Sequence, residues 1–357
     1  MASALLNKGY ILLKLVHRPH DALVCYDALI ERFRYATSDA MRETLSKATA
    51  SRLSCMNQIE NPADAGAAVR DAARRQADEG KRLAESGELR QGIAAFDKVI
   101  DAHQDAIHPE LRRQCARASF NKGHYLIDLD ENELAIACLR GVDALYGSDL
   151  SMHLQELVAL ALANLATALG NVGRSDERLQ VLDDIVRRFN ASGAIALERR
   201  ACNALYASAE ALMKAGREAE AFDRYDALLR RTLHRGEADL QLLAAKAIIN
   251  KTSRLDKLGR HDEEMALYRM LVERFGTTID AALRERVITA HERIAMTQGQ
   301  LGDTAAQCET IRATLERFRD VMPQAQRTRM EGKLAVLAPT TGNAARTFLS
   351  RLLRGRK

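Results

Sequence analysis

The chain has 357 residues, a formal net charge of +5, and no Trp, with only 20 Gly and 5 Pro. Five of its basic residues (Arg346, Arg351, Arg354, Arg356, Lys357) lie between Pro339 and Lys357 with no acidic residue among them, so the rest is formally neutral. A neutral body argues against a general nucleic-acid binder, which carries a basic face, and a composition rich in Ala, Leu, Arg and Glu is that of helices.

In chain order, the first region is less regular than the remainder of the chain. The start, Met1 to Lys8, is too short to read as a signal peptide and already carries the later pattern. Near Gly9 one extra residue offsets that pattern, and Ser38 to Ile59 reads as a helix whose partner is missing or replaced. Asn61-Pro62-Ala63-Asp64 breaks it, and Ala67 to Glu85 resumes as helix. All five prolines (Pro19, Pro62, Pro109, Pro323, Pro339) fall at expected helix ends, as they must if interior Pro costs about 3 kcal/mol.

From Gly80 onward one spacing governs the chain. Gly87, Asp130, Gly173, Gly216, Gly259 and Gly302 are each 43 residues apart. Gly80, Gly123, Ala166, Ala209, Thr252 and Ala295 form a small-residue column at the same step, and Leu83, Leu126, Leu169, Leu212 and Leu255 a leucine column. Phe96, Leu139, Leu182, Tyr225, Tyr268 and Ile311 form a large-residue column. A period of this size means stacked units, each too small to bury its own core. Within one unit, Ile195 to Ala215 has apolar residues at helical spacing, Gly216 interrupts, and Glu218 to Thr232 makes a second helix, acidic at its start and basic at its end. The tail from Ala344 to Arg354 is amphipathic, with Phe348, Leu349, Leu352 and Leu353 on one side. It reads first as a cap over the last helix, with a membrane-surface or acidic-partner anchor as the alternative.

The small residue, the turn Gly seven later, the Ala or Gly five further on (Gly92, Ala135, Ala221) and the large residue four beyond resemble the tetratricopeptide repeat. The stretches Asn121-Lys122-Gly123, Leu258-Gly259-Arg260 and Tyr225-Asp226-Ala227-Leu228 are similar to a long-period bacterial subtype. The usual period is shorter, and the family's early Trp and inter-unit Pro are missing; HEAT or armadillo arrays are the alternative. The resemblance implies an all-α fold without sheet, a right-handed α-solenoid of stacked antiparallel helix pairs. It divides the chain into irregular repeats at 1–60, regular repeats at 61–338 and a basic cap or tail at 339–357.

The resemblance also implies that the first helix of each unit lines a concave groove. Carried onto matching positions, the groove comprises Arg74, Lys81, Arg117, Phe120, Asn121, His124, Asn164, Asn203, Tyr206, Glu210, Lys246, Asn250, Ser253 and Asp256. Asn121, Asn164 and Asn250 share one column. An amide both donates and accepts, so the column could hold an extended peptide backbone, or it could bond the neighbouring helix and staple the stack.

No phosphate loop, dinucleotide fingerprint or H-E-x-x-H occurs. His17 and His20 lack further ligands nearby, and the six cysteines are scattered singly, so no catalytic, cofactor or metal residue is assigned. No apolar run is seen that would span a bilayer. The expectation is a cytoplasmic, non-enzymatic interaction scaffold with a peptide or protein partner. The alternatives are a ligand-sensing regulator, or a nucleic-acid- or membrane-associated adaptor acting through the basic tail.

Overall fold

The computed structural model describes residues 2–15, 18–33, 36, 38–60, 62–190 and 192–337. Among these there are 16 α-helices and no strand. The tail assigned above as cap or anchor, His17, and Pro339 lie outside the described residues. The chain divides into two compact units, Met1–Ile185 and Val186–Lys357.

Unit 1 begins with α1 (Ala2–Tyr10), a π-helical turn (Ile11–Leu15), α2 (Pro19–Phe33) and α3 (Asp39–Glu60). The π-turn explains the offset seen near Gly9, because an i→i+5 turn absorbs one extra residue. With that residue absorbed, Gly9 still meets Tyr26: a Cβ on Gly9 would lie 2.6 Å from the ring. A cluster of Leu13, Ala22, Tyr26, Leu29, Ala48 and Cys55 closes this end. Then come α4 (Pro62–Glu85), α5 (Leu89–His103), α6 (Pro109–Asp128), α7 (Asn132–Tyr146), α8 (Met152–Asn171) and α9 (Ser175–Phe189), which crosses the boundary. The α4 helix starts at Pro62, earlier than the sequence break suggests, since Pro at the first helical position gives up an N–H that has no partner there anyway.

Unit 2 continues with α10 (Ile195–Lys214), α11 (Glu218–Thr232), α12 (Ala238–Lys257), α13 (His261–Phe275), α14 (Ala281–Gln300), α15 (Thr304–Phe318) and α16 (Gln324–Leu337). From α6 to α14 every first helix has 20 residues, and from α5 to α15 every second helix has 15.

The columns acquire physical roles. The turn residues adopt left-handed backbone; Asp130, at φ 60°, is the one non-glycine among the described residues to do so. At each turn the N–H three residues past the helix returns to a carbonyl five residues back, that of the leucine column except for Gln298 at the last, as in Arg217 N to Leu212 O at 2.9 Å, closing a Schellman motif. The small column faces the large one: a Cβ on Gly80 would lie 2.8 Å from the Phe96 ring, and one on Gly123 2.5 Å from Leu139. Tyr225 and Tyr268 are fully buried, each contributing about 1.5–3 kcal/mol of burial.

One sequence expectation is corrected. The α8 helix is long and apolar enough, by length and composition, to cross a membrane. Half of its apolar window is buried, with Leu154, Val158, Leu162, Leu165 and Leu169 in the core of unit 1 against α6 and α7. Packing on two sides accounts for a composition that the sequence reading passed over.

Candidate functional site

The candidate positions all lie on first helices, and each unit presents its own set. In unit 1, Arg74 and Lys81 are exposed on α4 and pair along their own helix, with Asp71 at 3.1 Å and Glu85 at 3.5 Å. Arg117 reaches from α6 to Asp78 on α4. Phe120 and His124 stack with ring centroids 6.4 Å apart, and His124 Nδ1 lies 3.5 Å from Asn164 Nδ2 on α8. Asn121 is half-buried beside them.

In unit 2, Asn250 of α12 donates to Tyr206 Oη at 2.9 Å and to Glu210 Oε1 at 3.3 Å, both on α10. Burial, with Glu210 adding its negative charge, pushes the Tyr206 phenol up to about 12. Asn203, Lys246 and Ser253 are exposed and are not drawn into this cluster. Two of the three column asparagines thus turn their amides onto the preceding first helix, the stapling geometry.

The groove positions expected from the sequence end on α12 with Asp256. The same register continues on α14 as Thr289, Arg293 and Met296, and these line a cavity of about 650 Å³ between α14 and α16. Ile311 of α15 and Met330 of α16 supply apolar wall, and Lys333 sits on the α16 side. Glu292 is held there by Arg329 at 2.7 and 3.0 Å and by Gln326 at 2.9 Å. These contacts keep its carboxyl below the usual range although burial pulls the other way. Neither Arg293 nor Lys333 has a hydrogen-bond or ion-pair partner among the described residues. Adding 43 once more to Lys246, Asn250 and Ser253 would have found the α14 residues.

Asp256, half-buried on α12, approaches His261 and Glu264, their donor atoms lying within 4.8 Å of one another. His261 Nδ1 stands 3.2 Å from Glu264 Oε2, so these two satisfy each other rather than facing a shared centre, and no metal is assigned to them.

No family model matches the chain, and no curated protein matches it in sequence. Solved structures do. The apo form of RapI aligns with a TM-score of 0.50 at 10% identity, covering 99% of this chain and 87% of that one. The apo form of the quorum sensor NprR from B. thuringiensis aligns at 0.42 and 12% identity, covering 97% and 84%. A tetratricopeptide repeat protein from Parabacteroides merdae aligns at 0.40 and 14%, covering 74% and 86%. The likeness to RapI, at 10% identity, is likeness of fold alone.

Proposed function

The fold is a tetratricopeptide-like helical repeat, and on it we propose a non-enzymatic scaffold that binds a peptide segment or partner protein on its first-helix face. The principal seat is the α14–α16 cavity of unit 2. The observation that carries this reading is the cavity itself: its volume falls in the range of about 300–1,000 Å³ usual for ligand sites. Its apolar wall of Met296, Ile311 and Met330 is flanked by two cations, Arg293 and Lys333, and Arg293 also lends its charge to Glu292 in the same cavity. Apolar anchoring with a few polar groups to fix orientation is how such sites hold a ligand. The asparagines contribute by setting the spacing of the first helices rather than by gripping the ligand. All six cysteines are free thiols, which suits a reducing compartment, and the proposal places the protein in the cytoplasm.

The test is a displayed peptide library panned on the full chain. Peptides enriched on wild type should lose about tenfold or more in affinity, at least 1.4 kcal/mol, for Met296→Asp, with the melting temperature little changed because Met296 is only half-buried. Enriched peptides that bind Met296→Asp as tightly as wild type would remove the cavity from the proposal.

A further inference from the structure

Glu264 is a misfit at its place in the repeat. Gly92, Ala135 and Ala221 hold the equivalent position in three other repeats, where two helices of a pair approach closely. Where the position carries a long side chain, at Arg178 and Gln307, that side chain lies against a glycine of the first helix, Gly170 and Gly299. The residue in that glycine register opposite Glu264 is Asp256. Glu264 is 1% exposed, so a carboxyl is buried facing a second carboxyl. Burying an ionised carboxylate costs heavily unless a cation pairs with it.

The groups around it are few. From its own helix, His261 Nδ1 lies 3.2 Å away, and Tyr268 lies one turn further along. From α12 comes Asp256, a like charge. From α14 comes the Thr297 hydroxyl, and Arg293, whose charge acts on Tyr268. Cations on neighbouring turns are committed elsewhere: Lys251 Nζ to Asp226 at 2.5 Å, and Arg260 to Glu263. An ionised Glu264 therefore faces a second carboxylate, with His261 as the one titratable base hydrogen-bonded to it among the described residues.

We propose that Glu264 is a proton-operated latch on the α12–α13–α14 joint of unit 2, tight when its carboxyl is neutral and loosened when it ionises. This goes beyond the binding reading and stands without it. Burial first, and Asp256 as well, push the Glu264 carboxyl up, against the opposing pull of His261 and Thr297. A carboxyl raised in the folded state contributes stability that is fully present below its ordinary range. That contribution is lost as pH rises through the folded value. Asp256 lies on the first-helix face, so the joint that loosens borders that face.

The experiment compares thermal melts of wild type, Glu264→Gln and Asp256→Asn from about pH 5 to about pH 8.5, in chelator so that no cation substitutes for the proton. Gln keeps the shape of the neutral carboxyl at every pH. Glu264→Gln should melt about 2–4 °C above wild type at pH 8, the gap closing towards pH 5. Asp256→Asn should also melt above wild type at pH 8, because it removes the like charge that an ionised Glu264 faces, and the transition should move to lower pH in its background, because Asp256 no longer pushes the Glu264 carboxyl up. If Glu264→Gln fails to fold, Asp256→Asn decides alone. A Glu264→Gln protein that melts below wild type at pH 8, or at a constant offset across the range, would show an ionised, paired Glu264 and overturn the latch, as would an Asp256→Asn protein without the alkaline gain.

Discussion

The two units stack the same helix pairs but tie their second helices differently. In unit 2 one column reads Arg188, Arg231, Arg274 and Arg317; in unit 1 the same column reads Ala102 and Leu145. Arg274 Nε donates to the Leu233 carbonyl at 2.6 Å and an Arg317 amine to the Gly276 carbonyl at 2.7 Å, while Arg231 Nε donates to Asn190 Oδ1. Each acceptor lies on the residue just past the preceding second helix. Helix C-termini leave carbonyls without partners and carry partial negative charge, so an arginine placed one repeat later serves both. Unit 1 links successive second helices through exposed ion pairs, Arg90 with Glu131 and Arg140 with Glu177. Such pairs contribute about 0–1 kcal/mol and fade in salt. The core columns do not differ in kind between the units; the difference lies in how helix ends are satisfied.

Substitutions test that contrast directly. The largest effect should be common to both units: Phe96→Ala in unit 1 and Tyr225→Ala in unit 2 should each cost about 3–5 kcal/mol in urea unfolding. A loss under about 1 kcal/mol for either, far below that range, would mean that the large column is not the core of that unit. Next, Gly123→Ala should cost about 1–3 kcal/mol by overpacking, because its Cβ would press on Leu139. Smaller again, Arg274→Ala should cost about 0.3–1 kcal/mol. Its counterpart Leu145→Arg, at a position 57% exposed, should recover a similar amount by reaching the end of α5. A Leu145→Arg protein no more stable than wild type would show that the arginine column needs more than its register. Smallest, a double-mutant cycle on Arg90 and Glu131 should give less than about 1 kcal/mol and fall towards zero in about 1 M salt.

The fold was legible because a repeat states its packing many times over: once Gly80 and Phe96 are recognised as facing columns, Gly123 with Leu139 comes with them. The predicted bounds of the Ile195–Thr232 pair agree with α10 and α11 to within one residue. The site was harder. Asn250 meets Tyr206 and Glu210 across one repeat, at separations of 44 and 40 residues. Such offsets can be seen in sequence only if one asks which helical turn faces which. The α14–α16 cavity needed only one more step along the register. The arginine column was written in the sequence as plainly as the leucines, but a charged residue at a regular spacing reads as solvated surface until its carbonyl acceptor is in view. Glu264 was visible only as a misfit, a carboxyl at a position that Gly92, Ala135 and Ala221 keep small.

The constancy of the joints has a consequence for rebuilding the chain. In unit 2 first and second helices keep their lengths of 20 and 15 residues from α10 to α15. Excising residues 238–280 would join Glu237 directly to Ala281, setting Leu283 where Leu240 stood and Ala295 where Thr252 stood. Every helix end would keep its own kind of turn. The same excision begun ten residues later would cut α12 and α14 each within a helix yet still in phase, whereas removing one residue from either would rotate all that comes after it by about 100°. The molecule can be shortened or lengthened in whole repeats, as a ruler is cut at its marks.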